Sequence, residues 1–175
     1  RAVRDAFEGC QERLGTDTVD LLWLHQEDRS VPIEETIDAI AALTASGSVR
    51  RVGASNHPAW RVERARAHAQ SIGALPIDAF QLRHTYLTVR PGAQLHTNHD
   101  FDLYSAEQRD YAATHGFEVW AYSPVLAGAY DNETRPLSDP YVHEGNDRRL
   151  AVLDDVAGSL DATRSQVVLA WLVAH

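Results

Sequence analysis

Four short apolar runs in this 175-residue chain each end on residues that can do chemistry. The first ends Leu-Leu-Trp-Leu-His25, followed by Gln26 and Glu27; the second ends Gly53-Ala-Ser55-Asn56. The third carries Gln81, Arg83 and His84, and the fourth ends Trp120-Ala-Tyr122-Ser123-Pro124. A histidine can hydrogen-bond or exchange a proton near neutral pH, hydroxyls and carboxamides pair with polar ligands, and an aromatic ring offers a flat face. One polar end to a strand is routine, because strands emerge into water. Four of them, each followed by a helical segment, outline a shared rim.

The elements that position these residues alternate in kind. Runs rich in apolar, β-branched and aromatic residues predict buried strands at 18–25, 49–56, 77–84 and 117–123. Helical spacing links Val3, Phe7, Cys10 and Leu14, with Gly15 as a stop, and Ile33, Ile37, Ile40 and Leu43, bounded by Pro32 and Gly47. A third helix is predicted at 58–72 before Gly73, and a fourth from the capping-box pair Ser105 and Gln108 to Gly116. Leu150, Leu153, Val156 and Leu160 predict one more apolar stripe. Thr163 and Gln166 open a last helix containing Val167, Val168 and Trp171.

Strands alternating with helices predict a parallel sheet covered by helices. An open dinucleotide-binding sheet would show a Gly-rich turn after its first strand, whereas Gly53 and Gly73 stand alone. A (β/α)8 barrel explains the strand ends better, because barrel chemistry sits at the C-terminal ends of successive strands. With four strands where a barrel has eight, the expectation is a single but incomplete α/β (TIM) barrel domain over 1–175. The absence of methionine points the same way.

Composition narrows the partners. A formal net charge of -9 leaves no basic surplus for nucleic acid. No apolar run reaches the roughly 20 residues needed to span a bilayer, and the charged opening 1–5 is not a signal peptide. A lone Cys10 fits a reducing, cytoplasmic setting. All 16 basic residues are arginines, so any lysine chemistry must come from elsewhere.

Arg-Leu-Gly-Thr-Asp-Thr-Val-Asp-Leu-Leu (13–22) ending at His25, then Pro32-Ile-Glu-Glu-Thr36, Gly53-Ala-Ser-Asn56, Gln81, Ala121-Tyr-Ser-Pro124 and 162–172 together resemble the aldo/keto reductases, in the family's order and across essentially the whole chain. The resemblance implies NADPH, or less favoured NADH, as cofactor and an aldehyde or ketone as substrate. His25 then corresponds to the histidine that hydrogen-bonds the substrate carbonyl. Ser55, Asn56 and Gln81 correspond to the holders of the nicotinamide carboxamide, and Tyr122 to the ring that stacks on the nicotinamide. Ser123 begins the segment along the cofactor diphosphate, with Val125, Leu126 and Gly128 lending backbone groups. The family's proton-donating tyrosine, with its lysine and aspartate, lies on strands before the first one here. Its lysine and arginine for a 2′-phosphate follow a strand after the last one here. The chain by itself is therefore expected to be inactive.

Competing expectations attach to the same residues. Ser55 and Asn56 could be helix N-caps ahead of Pro58, and Trp23 and Trp120 are assigned to packing. His96 and His99 form an H-x-x-H pair in a polar stretch, better explained as a solvated loop than as a metal site. Connections 88–104 and 127–147 are long enough to border substrate and to fold over the diphosphate. A channel-accessory subunit that binds NADPH without turnover and a metal-dependent barrel hydrolase are the alternative functions.

Overall fold

The computed structural model describes residues 2–93, 95, 101 and 103–174. Among the described residues, six α-helices and four strands follow in the expected order: α1 Ala2–Leu14, β1 Val19–Leu24, α2 Ile33–Ala45, β2 Val49–Ser55, α3 Ala59–Ser71, β3 Ile77–Arg83, α4 Ala106–His115, β4 Glu118–Tyr122, α5 Glu144–Ser159 and α6 Arg164–Ala174. The four strands form one sheet in the order β1-β2-β3-β4, with parallel pairing of β1 to β2 and of β2 to β3. By contact density the chain divides into two compact units: Arg1–Leu82 with His99–Trp120, and Arg83–Asn98 with Ala121–His175.

In the first unit, helical periodicity becomes packing. Ile33, Ile37, Ile40 and Leu43 recur along one face of α2 and are buried, while Glu34 and Glu35 sit in its first turn, where the helix dipole favours negative charge. They join Val52, Ala54, Phe80 and Leu82, which point to the helix side of the sheet, and Val62, Ala65 and Ala69 of α3. Phe80 and Phe117 close this core with ring centroids 4.6 Å apart. The capping box that opens α4 forms as its spacing predicts. Ser105 Oγ accepts from the Gln108 N–H, and Gln108 Oε1 accepts from the Ser105 N–H, both at 3.1 Å. Gly116 ends the helix at φ 67°, a conformation that any Cβ disfavours.

Three expectations change. The edge strands β1 and β4 are mostly half-buried or exposed, with Trp120 47% accessible, because each has a neighbour on one side only among the described residues. On α5 the apolar stripe is rotated: Leu153 and Ala157 are buried and Leu150 half-buried, whereas Leu160, at the helix C-cap, is exposed. The connection 127–147 is not a bare loop, because it contains the 3-10 turns Leu126–Gly128 and Asp139–Tyr141 and the start of α5.

The second unit has its own core of Leu87, Tyr130, Tyr141, Leu153 and Val168. Two buried polar side chains organise it. Asn146, at the start of α5, donates through Nδ2 to the carbonyls of Thr88 (2.8 Å) and Tyr141 (2.7 Å), and its Oδ1 accepts from the Thr88 N–H (3.1 Å). Thr85 Oγ1 donates to the Pro124 carbonyl (2.6 Å), so the 2.8 Å contact with Tyr130 runs from the tyrosine hydroxyl to Thr85. That hydroxyl in turn accepts from the Leu87 N–H (3.1 Å). Burial pushes the Tyr130 phenol above its ordinary pKa and keeps it a neutral donor.

Candidate active site

Register places part of the predicted site on one rung. Trp23 pairs with Gly53 and Gly53 with Ala79; two residues further along, Ser55 pairs with Gln81. Because side chains alternate, Ser55 and Gln81 share the face opposite Val52, Ala54, Phe80 and Leu82, away from the helices. His25 follows the last residue of β1, next to the Leu24–Ala54 pair, at the same C-terminal edge. A register shift between Val52 and Gly53 allows this alignment.

Below that rung the two tryptophans pack as expected. Trp23 and Trp120 meet edge to face with centroids 5.6 Å apart. Beneath them Arg51 binds Asp78 through Nε (2.9 Å) and Nη2 (3.2 Å) and Glu118 through Nη1 (2.8 Å). Hydrogen bonds from Arg51 and Trp120 hold the Glu118 carboxyl below the usual carboxylate range.

Ser55 and Asn56 do not cap α3, whose N-cap is Pro58 without a side-chain cap. Instead Asn56 takes a left-handed conformation (φ 57°), accessible to asparagine at modest strain. Its Nδ2 donates to the His25 carbonyl (2.8 Å) and to Ser55 Oγ (3.1 Å). Asn56 therefore ties the end of β1 to the end of β2. The Gln81 carboxamide is half-buried and makes no hydrogen bond with the described residues, an arrangement that an amide-bearing ligand would satisfy.

Two supporting residues have no local signature in the sequence. Arg61 on α3, 8% exposed, reaches the loop after His25. It donates to the carbonyls of Asp28 (2.7 Å) and Val31 (3.2 Å) and pairs with Glu27 at 3.3 Å. His57 is buried, with Nδ1 2.7 Å from the Ser55 carbonyl; its own carbonyl accepts from Gln108 Nε2 (3.0 Å). Burial lowers the His57 pKa, so the neutral ring donates from Nδ1. A cavity of about 520 Å³ runs between α1, β1 and α2, with His25, His57 and Arg61 among its lining. Ser55, Asn56 and Gln81 do not line it, so this cavity is separate from the carboxamide-bearing rung.

In the second unit, Tyr122 ends β4 with the Arg83 guanidinium 5.1 Å from its ring centroid. The chain then turns through Ser123 (φ 53°), Leu126 (φ 48°), Ala127 (φ 56°) and Gly128 (φ 90°). Left-handed backbone costs a non-glycine residue about 1–2 kcal/mol, and such strain concentrates at functional segments. The Leu126 and Gly128 N–H groups donate within the turn, to Ser123 (3.2 Å) and Val125 (2.9 Å). Ser123 and Leu126 line a cavity of about 350 Å³, and Val125 and Gly128 do not. The His96/His99 pair lies outside the described residues, as does most of 94–102. Among the described residues no group of three or more metal-ligating side chains gathers, and no helix is long and apolar enough to cross a membrane.

Parallel strands alternating with helices, with polar side chains gathered at the strands' C-terminal ends, define a partial (β/α)8 barrel. Residues 1–175 match the model of the aldo/keto reductase family, and the chain belongs to that family. It is 26% identical to the uncharacterized oxidoreductase YrpG of Bacillus subtilis (strain 168), a match covering 99% of this chain and 51% of that protein. It is 28% identical to the aldo-keto reductase str7 of Strobilurus tenacellus, with the same coverage of 99% and 51%. The crystal structure of a thermostable aldo-keto reductase, Tm1743, solved in complex with the inhibitor epalrestat, superposes with a TM-score of 0.73. Identity there is 27%, over 98% of this chain and 52% of that one. The chain thus spans about half the length of the relatives it matches.

Proposed function

We propose that this chain is part of an NADPH-dependent reductase of aldehydes or ketones, contributing the nicotinamide-holding half of the site. The observation that carries the reading is the rung at the strands' C-terminal edge. There Ser55 and Gln81 face the same side, beside His25, with the Gln81 carboxamide unpartnered among the described residues. A nicotinamide amide has two N–H donors and a carbonyl acceptor, which a hydroxyl and a carboxamide complement. Asn56 fixes the spacing between that rung and His25. His25 hydrogen-bonds the substrate oxygen and orients the carbonyl, supporting the charge that develops there. Tyr122 stacks on the nicotinamide ring, and Ser123, Val125, Leu126 and Gly128 form the turn along the diphosphate.

When bound, the reduced nicotinamide supplies a hydride to the carbonyl carbon. The proton for the resulting alkoxide comes from a general acid outside this chain, so these residues chiefly position the reactants. The substrate is a small carbonyl compound, and the lone cysteine supports a cytoplasmic setting.

The test is NADPH oxidation by a full-length protein carrying this chain, against a panel of aldehydes and ketones. We expect carbonyl-dependent turnover. His25→Ala should lower kcat by about 10²-fold or more, and Gln81→Ala should raise the NADPH KM by about tenfold. Tight NADPH binding without turnover would move the protein to the accessory-subunit class. No binding at all would remove the reductase reading.

A further inference from the structure

Gln108 uses the two ends of its carboxamide for two different tasks. Its spacing from Ser105 marks it for the capping box, where glutamate serves as well as glutamine because the box needs only an acceptor. That acceptor is Oε1, 3.1 Å from the Ser105 N–H. The amide end, which a glutamate lacks, donates through Nε2 to the His57 carbonyl at 3.0 Å. Gln108 is 3% exposed, so water is not at hand to replace that bond.

His57 passes the constraint on. The Ser55 carbonyl, 2.7 Å from Nδ1, can only accept, so Nδ1 carries the proton and donates. The ring therefore holds the last residue of β2 while its own carbonyl is held from the first turn of α4. Between the two held carbonyls lies Asn56, in left-handed backbone at φ 57°. Ser55, Asn56 and His57 are all buried, at 1%, 3% and 3% exposure. Strained backbone of this kind persists only where its surroundings over-determine it. The bond from Asn56 to the His25 carbonyl fixes the turn from one side, and Gln108 and His57 fix it from the other.

We infer that His57 and Gln108 are positioning residues for Ser55 and Asn56, and that the start of α4 sets the turn after β2 through the chain Gln108, His57, Ser55. That the turn holds a nicotinamide amide rests on the proposed reductase function; the link from α4 to the turn does not. Both residues act through Ser55 and Asn56 rather than on a ligand.

The test compares variants in a full-length protein carrying this chain. Gln108→Glu keeps the capping acceptor and loses the donor to His57. The helix N-terminus favours its ionised form, and work at about pH 8 secures it. His57→Phe keeps a ring and loses the donor to Ser55, whereas His57→Asn offers an amide donor near the place of Nδ1. Ser105→Ala weakens the same helix cap and leaves both links intact, so it controls for lost stability.

Calorimetric titration should show NADPH affinity about threefold to tenfold weaker in Gln108→Glu and His57→Phe. Affinity should lie nearer to wild type in His57→Asn and be unchanged in Ser105→Ala. The NADPH KM should follow the affinity, whereas a smaller folded fraction lowers the apparent kcat alone. Amide hydrogen exchange should quicken over 54–57 in Gln108→Glu and His57→Phe, but only over 105–109 in Ser105→Ala. Unchanged NADPH affinity in both link variants, or equal weakening by Ser105→Ala, overturns the positioning role. If wild type does not bind NADPH, the reductase reading is lost and exchange alone decides the link. Faster exchange over 54–57 in Gln108→Glu then supports it, and exchange equal to wild type removes it. If Gln108→Glu fails to fold, His57→Phe against His57→Asn carries both measurements.

Discussion

The indole of Trp23 fills the space that a side chain at Gly53 would need. The two residues are register partners across β1 and β2, and a Cβ on Gly53 would collide with the Trp23 ring. The glycine is therefore required by close approach rather than by a turn. It lets the tryptophan lie over the sheet one layer below Ser55 and Gln81 and meet Trp120 edge to face.

Gly53→Ala should destabilise the chain by about 3 kcal/mol, the upper range for overpacking, since the obstacle is a rigid ring held by a second ring. Urea unfolding followed by tryptophan fluorescence would measure it. The double variant Gly53→Ala/Trp23→Leu should recover part of the loss. A single variant as stable as wild type would show that the indole moves aside freely.

Asn56 links His25 to Ser55 while holding left-handed backbone, and substitution separates these two tasks. Asn56→Gly removes the bonds and keeps the conformation, for an expected loss of about 1 kcal/mol. Asn56→Ala removes the bonds and, unlike the glycine variant, holds a Cβ in the left-handed region, so it should be about 1–2 kcal/mol less stable than Asn56→Gly. Equal stabilities for the two variants would mean that the backbone at 56 relaxes out of the left-handed region.

What the sequence made legible follows from the range of the interactions. Helices α1 to α4 and the strands fall within a few residues of their predicted bounds, because periodicity, capping boxes and stop glycines act over three or four residues. The Ser105–Gln108 box is readable from its spacing alone. Arg61 and Asn146 are not: each acts on backbone carbonyls far away in sequence, and neither type nor spacing marks it out. Ser55 and Asn56 read locally as helix caps, but tertiary pairing with the end of β1 wins. The stripe on α5 misplaced Leu160 because periodicity gives the width of an apolar face but not which neighbours cover it. The proposed site roles rest on the family resemblance, since position alone makes His25 another polar strand end.

The Arg61–Glu27 pair, with side chains 8% and 11% exposed, anchors the loop that follows His25. Without Arg61, Glu27 keeps only its bond from the exposed Arg29 (2.8 Å), and without Glu27, Arg61 keeps only its two carbonyls, so Arg61→Met and Glu27→Gln should each lose about 1–3 kcal/mol. The double variant should lose less than the sum, because the 3.3 Å contact between the two can be lost only once. Arg61→Met also frees the carbonyls of Asp28 and Val31, so limited proteolysis should cut first within 26–31. Strict additivity in chemical denaturation would show that the two residues act independently.

His57 gives the fold a pH dependence whose sign can be worked out. Burial, the largest influence, lowers its pKa below the ordinary 6.5, although the Ser55 carbonyl and Glu27 pull the other way; Arg61 reinforces the lowering. Above pH 6.5 the ring is neutral in both folded and unfolded chains, and its protonation contributes no difference. As pH falls through 6.5 the unfolded chain binds a proton that the folded chain still refuses, so stability declines until the folded-state pKa is passed. A His57→Gln variant lacks this titration. Its stability relative to wild type should therefore rise between pH 7.5 and pH 5.5, whatever offset the substitution introduces at neutral pH. Urea midpoints for the two proteins at three pH values across that range would measure the difference. Parallel curves would mean that the ring is protonated as readily in the folded chain as in the unfolded one, and that the Ser55 carbonyl and Glu27 outweigh burial.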